Sequence, residues 1–225
     1  MPEPGKYLRL FLHRINLIKI GIQKFRARRN FPRDYEARMR EAGSHWSRGS
    51  KGLTWLDSPT IQSLLNEAVS GDRKVYWLKH FKQKHIPLTL DLALNLGSGD
   101  GGLERNALFL KICKRFHSFD ISQEAIQRCK EENVREGVGE KVTYFQVDIN
   151  QINLEESAYD LAFAVNSLHH FVELEHVFLE VRKGLKEGGL FVFNEFVGPS
   201  RFQWSDDQLD VINRILAILP DRYKL

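Results

Sequence analysis

The chain has 225 residues, 42% hydrophobic and 28% charged, enough to bury one sizeable core. No apolar run reaches membrane-spanning length, no small-residue cleavage site follows the first hydrophobic stretch, and Cys113 and Cys129 lack metal-ligand spacing. These features exclude a membrane-spanning or disulfide-stapled class and point to a cytoplasmic protein with two buried, reduced thiols and no metal. The net charge of +4 hides an asymmetry: residues 1–51 carry 13 basic against 4 acidic side chains, and the remaining 174 residues carry 20 against 25. The basic excess therefore belongs to the N-terminus.

Residues 6–29 are apolar and basic. On a helix, Leu8, Phe11, Leu12, Ile15, Ile18, Ile22 and Phe25 share one face, although Lys19 intrudes on it. Three roles stay open for this segment. It docks on the rest of the chain or on a second subunit as a homodimer, it lies on an anionic membrane surface, or it binds nucleic acid. The last is disfavoured because no recognition module accompanies it. Residues 30–60 are looser, broken by Pro32, Gly43, Gly49 and Gly52, with Trp46 and Trp55 as large anchors. We divide the chain into an extension, 1–57, and a main domain, 58–225.

Ser58-Pro59 opens a helix that Gly71 stops, and a second helix over Val75 to His85 ends at Pro87. An apolar run, Leu90 to Leu96, then enters Gly97-Ser-Gly-Asp-Gly-Gly102, and a helical pattern starts at Leu103. Strand, glycine-rich turn and helix in that order make a nucleotide-binding turn, because glycine lets backbone approach a ligand where a Cβ would clash. Further strands follow at Lys111 to Asp120, Val142 to Asp148, Tyr159 to Val165 and Gly189 to Phe196. Asp120 ends the second of them, where a carboxylate can take both hydroxyls of a ribose. Helical segments fill the gaps. One is capped by Ser122, with Ala125, Ile126 and Cys129 inward; another spans 173–186, with Leu174, Val177, Phe178, Val181 and Leu185 inward. Ser205 and Gln208 form a capping box for a last helix. The alternation predicts an α/β Rossmann-like fold, a mostly parallel sheet flanked by helices.

Five segments together resemble the class I S-adenosylmethionine-dependent methyltransferases. They are Leu94 to Gly102, Phe119 to Ser122, Val147 to Ile149, Tyr159 to Phe171 and Leu185 to Phe193. The resemblance implies S-adenosylmethionine lying across the strand ends. Its methionine would lie along Gly97, Ser98, Gly99 and Gly101, its ribose on Asp120, and its adenine near Ile121, Asp148 and Ile149. Many members carry an acid two residues before the first glycine; here Asn95 stands there and is expected to hold the methionine ammonium, with Asn166 as a second candidate. The family usually closes its sheet with an antiparallel pair of strands after the last helix. Only residues 221–225 follow that helix here, so the fifth strand is expected to be an edge that the N-terminal segment or a second subunit covers. The N-terminal helix and its loop, with Trp46 or Trp55, are expected to fold over the cofactor.

A sulfonium is an activated methyl donor, so the protein must chiefly hold donor and acceptor in line. Where the acceptor is a hydroxyl, a base assists, and His170, His169 and Glu195 are the candidates at the strand ends. Each has a structural alternative: a histidine here can simply brace the loop, and Glu195 can pair with a cation. The acceptor is expected to be a small molecule, a saccharide or a lipid-linked intermediate near a membrane. A nicotinamide oxidoreductase shares the glycine fingerprint but lacks a recognisable hydride-transfer triad. A P-loop nucleotidase is excluded, since no Gly-Lys-Ser/Thr occurs. A non-catalytic cofactor- or partner-binding module is the rival from another class.

Overall fold

The computed structural model describes residues 35–47, 58–195 and 204–220. Helices α1 (Tyr35–Ser47), α2 (Pro59–Ser70) and α3 (Trp77–His85) precede the first strand, β1 (Leu90–Leu96). The chain then alternates through α4 (Gly102–Phe109), β2 (Cys113–Asp120), α5 (Gln123–Arg135), β3 (Val142–Gln146), β4 (Tyr159–Val165), α6 (Leu174–Gly184) and β5 (Leu185–Asn194). Helix α7 (Asp206–Ile218) comes last. Among the described residues the sheet has five strands in the order β3-β2-β1-β4-β5, all parallel. The fold is Rossmann-like α/β. The chain reverses its order between β1 and β4, and a crevice opens there beyond the carboxyl ends of the strands.

Both faces of the sheet are covered, which is why its strands read as nearly continuous apolar runs. Successive side chains point to opposite faces. Ala93, Phe116, Leu161 and Phe163 pack with Leu78 of α3, Ala107 and Leu108 of α4, and Ile126 and Cys129 of α5. Leu94, Leu96, Phe119, Ala162 and Ala164 pack on the other side, with Val177 and Val181 of α6. Cys113 and Cys129 are both buried, and burial pushes both thiols up to about 12.

Three helix signals in the sequence are realised in detail. Gly71 ends α2 in the left-handed conformation (φ 77°). The Ser122 hydroxyl accepts from Ala125 N at the start of α5. Ser205 and Gln208 make the reciprocal capping box of α7.

Boundaries differ at β5. The sequence places Gly188-Gly189 before the strand, whereas Leu185 already pairs with Tyr159. The ladder shifts register between Tyr159 and Leu161, so the glycines form an irregularity inside the strand. Helix α6 also departs from its expected inward face: Phe178 is 43% exposed and meets Phe191 edge-on. β5 is an edge strand among the described residues, with Phe193 55% exposed. Segment 6–29 and Trp55 lie outside those residues.

Candidate cofactor cleft

The glycine turn is built from its hydrogen bonds. Gly97 N and Ser98 N donate to Phe119 O, Gly99 N to Asp120 Oδ2, Gly101 N to Ser98 O, and Gly102 N to Asp100 Oδ1. These five main-chain donors of the turn thus end on acceptors within the protein. Gly97 and Gly99 take positive φ (89° and 54°), where only glycine sits without strain. A Cβ on Gly97 would lie 2.8 Å from Ser167 Cβ, so the turn packs directly on the loop after β4. A Cβ on Gly99 would have no atom within 4 Å. It would project into open space.

That space is a cleft of about 300 Å³. The β1 turn supplies Gly97 and Gly99, the β2 end Asp120 and Ile121, and the segment after β3 Asp148, Ile149 and Asn150. The β4 end adds Val165, Asn166, Ser167, His170 and Phe171. Helix α1 closes the cleft with Met39 and Ala42. Two carboxylates face the cleft, and no Lys or Arg is among its described lining residues.

Asp120 is fixed before any ligand arrives. Its Oδ2 accepts from Ser98 Oγ and Gly99 N, both at 3.1 Å, and its Oδ1 from Ser122 N at 2.9 Å. The carboxylate is 7% exposed. Asp148 caps the turn Ile149–Gln151 by accepting from Asn150 N, and its Oδ2 accepts from the hydroxyl of Tyr35 on α1. Burial and the neighbouring Asp148 carboxylate hold the Tyr35 phenol above its usual range, so it keeps the proton it donates. Tyr35→Phe removes a bond between α1 and this carboxylate. Titration of S-adenosylhomocysteine should show binding weakened about 2- to 10-fold, the net worth of one such bond.

Three expected cofactor residues do not line the cleft: Ser98, 5% exposed and donating to Asp120, Asn95 and Gly101. Asn95 shares the face of Ala93, so its side chain points under α4 rather than along the cleft, and it is 1% exposed. Its Nδ2 donates to Glu104 Oε1 at 2.9 Å. Gly101 also faces inward: a Cβ there would meet Arg105 Nη1 at 2.7 Å and Cys129 Sγ and Tyr144 Oη at 3.1 Å. Its need for glycine comes from packing and a positive φ of 73°, not from a ligand.

Glu104 is the largest surprise of the site. It is fully buried on α4 and accepts from Ser118 Oγ as well as from Asn95. Its second oxygen, Oε2, and Asn95 Oδ1 have no partner. Burial raises the Glu104 carboxyl above its ordinary value. Burial penalises the charge and no donor meets Oε2, so the neutral acid is the form that suits this site.

The candidate bases separate. His170 lines the cleft. His169 is 52% exposed and its Nδ1 lies 2.8 Å from Glu195 Oε2. Glu195 is nearly buried and turned toward the loop that carries both histidines. The sequence points to a closing helix with Trp46 or Trp55; the side chain of Trp46 and all of Trp55 lie outside what is described, and the described lid contacts come from Tyr35, Met39 and Ala42. Helix α1 is only weakly amphipathic, so nothing in its pattern singles out these three.

Comparison with known proteins adds the last observation. Residues 94–193 match the family model described as a methyltransferase domain. Over those residues the chain is similar to a methyltransferase domain. The matched segment runs from β1 into β5, the same stretch that builds most of the cleft. Over 142 residues, 61% of this chain, it is 32% identical to hybrid PKS-NRPS synthetase apdA of Emericella nidulans, of which it spans 3%. Over 107 residues, 48% of the chain, it is 28% identical to a sterol 24-C-methyltransferase of Eremothecium gossypii, of which it spans 28%. Over 133 residues, 58% of the chain, it is 28% identical to a dimethylglycine N-methyltransferase of Parasynechococcus marenigrum, spanning 47% of that protein. The chain thus spans less than half the length of each of these relatives. A solved structure from Galdieria sulphuraria, of a protein described as a putative sarcosine dimethylglycine methyltransferase, matches the fold. Its TM-score is 0.51 at 22% identity, covering 66% of this chain and 53% of that one.

The cofactor of the family is S-adenosylmethionine, and the residues of the cleft fit it. Gly99 leaves room that any Cβ would fill. The two carboxylates suit a ligand carrying an ammonium and a sulfonium.

Proposed function

We propose that this chain is an S-adenosylmethionine-dependent methyltransferase that acts on a small organic acceptor by in-line transfer. The observation that carries the reading is the charge of the cleft: it presents Asp120 and Asp148, no Lys or Arg among the described lining residues, and a glycine turn in which the N–H groups of Gly97, Ser98, Gly99, Gly101 and Gly102 already have acceptors. A dinucleotide needs those donors for its pyrophosphate. A cationic nucleoside does not. Calorimetry should show saturable binding of S-adenosylhomocysteine and none of NADH; the reverse result would remove this reading.

In the mechanism, the cofactor supplies a methyl group already activated by a sulfonium. Asp120 takes the ribose hydroxyls, Ile121 and Ile149 flank the adenine, and Asp148 receives its polar edge. The glycine turn and Asn166 receive the methionine end. Helix α1 narrows the cleft and excludes water. His170 accepts the proton that a hydroxyl acceptor must lose, a contribution of about 10²–10⁴-fold where such a proton exists.

The finer reading of the acceptor is a lipid-linked or saccharide intermediate. The apolar walls formed by Met39, Val165 and Phe171, and the sterol methyltransferase among the relatives, support the lipid-linked class over the saccharide. In this reading residues 58–225 form the catalytic unit, and 1–57 form an extension that closes the cleft through α1. The same extension touches membranes through its basic segment, or pairs two copies of the chain. Co-sedimentation with anionic vesicles, compared between the full chain and one lacking residues 1–29, distinguishes these two roles.

A further inference from the structure

We propose that Glu195 is a positioning residue, a carboxylate at the tip of β5 that clamps the loop after β4 into the wall of the cofactor cleft. This rests on the methyltransferase reading only for the identity of the ligand. The clamp itself is a property of the ligand-free chain.

The loop begins at Asn166, a non-glycine residue held at φ 52° in the left-handed region. Asn enters that region more readily than other L-residues, and here its surroundings hold it there. Two strands do so. Asn166 N donates to Asn194 O on β5 at 2.8 Å, and Ser167 Oγ donates to Leu96 O on β1 at 2.7 Å. The short turn Leu168–His170 follows. The N–H groups at the start of a turn have no acceptor within it. Glu195 meets that need: its Oε1 accepts from Ser167 N at 2.5 Å and from Leu168 N at 2.6 Å. Its Oε2 lies 2.8 Å from His169 Nδ1. The His169 and His170 rings then touch, with centroids 3.9 Å apart.

The consequence reaches the ligand from two directions. Asn166, Ser167 and His170 all line the cleft, and Ser167 packs against the place where Gly97 has no side chain. If the loop shifts, the cleft wall and the glycine turn shift together. Both Glu195 oxygens face the loop, and hydrogen bonds to an ionised acceptor are about twice as strong as neutral ones. Taking up a substrate proton at Glu195 would weaken the bonds that hold the site. Glu195 therefore acts through the loop, and His170 is left as the base candidate in the cleft.

Two substitutions separate these roles. Glu195→Gln keeps an oxygen for Ser167 N and Leu168 N, and its amide group can face His169. Glu195→Ala keeps neither. Hydrogen exchange on ligand-free protein should show Ser167 and Leu168 within about threefold of the parent in Glu195→Gln, whose neutral oxygen is the weaker acceptor, and about 10-fold or more less protected in Glu195→Ala. Affinity for S-adenosylhomocysteine should stay within about twofold in the Gln variant and fall about 10-fold in the Ala variant, the loss expected when one set of buried donors is orphaned. If Glu195→Ala fails to fold, Glu195→Asp, one methylene short of the loop, should show the same loss of protection. Unchanged protection and affinity in the Ala or Asp variant would overturn the clamp. So would a Gln variant as impaired as Ala, since charge rather than hydrogen bonding would then be at work. A parent chain that does not bind S-adenosylhomocysteine, but loses loop protection in the variants, would refute the methyltransferase reading and leave the clamp standing.

Discussion

Replacing Asp120 with alanine should weaken binding of S-adenosylhomocysteine by about 5- to 150-fold, or about 1–3 kcal/mol. The carboxylate has two duties. It faces the cleft, and it holds the turn by accepting from Ser98 Oγ, Gly99 N and Ser122 N. Alanine strands all three donors and removes the tether on Gly99, whose φ of 54° depends on that bond. Asparagine should do little better. Donors approach both oxygens of Asp120, so an amide must turn its NH₂ toward one of them whichever way it is flipped. Calorimetry on Asp120→Ala and Asp120→Asn measures the effect. Parental affinity in the alanine variant would show that the carboxylate does not hold the ligand.

A second large effect is expected in stability and lies beneath the turn rather than in the cleft. Glu104 is buried, and its carboxyl is raised above the ordinary value of 4.5 by that burial. In the unfolded chain the group loses its proton near the ordinary value; in the folded chain it keeps it to higher pH. The unfolded state therefore binds fewer protons in the window between the two values, and stability falls as pH rises through it. The contribution is complete below about pH 4.5 and is lost as pH passes the raised value. Glu104→Gln mimics the neutral acid, since it carries no charge while its oxygen still accepts from Asn95 and Ser118. This variant should unfold at least as high as the parent at pH 8 and show a flatter pH profile between pH 5 and pH 8. Glu104→Ala leaves a cavity and orphans two partners, which should cost about 2–4 kcal/mol and lower Tm by about 4–16 °C for a domain of this size. Thermal denaturation across pH tests both variants. A Gln variant with the parental pH slope would show that Glu104 is not the titrating group.

The parts legible in the sequence share one property: their signals are local. The span of β1, the glycine turn, the Ser122 cap and the Ser205–Gln208 capping box each follow from residues within a few positions of one another. The orientation of Asn95 does not. In a strand covered on both faces, alternation gives two equivalent sets of side chains, and the sequence does not say which face a polar residue in that run takes. Only the pairing of β1 with its neighbours puts Asn95 on the α4 side, beside Glu104. The task of Glu195 was hidden for a similar reason, because its partners lie 26–28 residues earlier in the chain. The residues through which α1 meets the cleft are hidden too. Tyr35 lies 113 residues from Asp148, and the helix carries no pronounced apolar stripe to announce its contact. The start of β5 was misplaced because two adjacent glycines look like a turn, whereas here they are absorbed as a break in the ladder.

The closed hydrogen bonding of the glycine turn also determines which abundant metabolites the protein ignores. Adenosine triphosphate shares its nucleoside half with the methyl donor, so the pocket for base and sugar offers no means of telling them apart. Discrimination has to come from the 5′ substituent. A triphosphate entering there would face the carboxylates of Asp120 and Asp148 and a loop in which Gly97, Ser98, Gly99, Gly101 and Gly102 already spend their amide hydrogens. Such an arrangement would disfavour the more plentiful nucleotide by repulsion and by withholding donors.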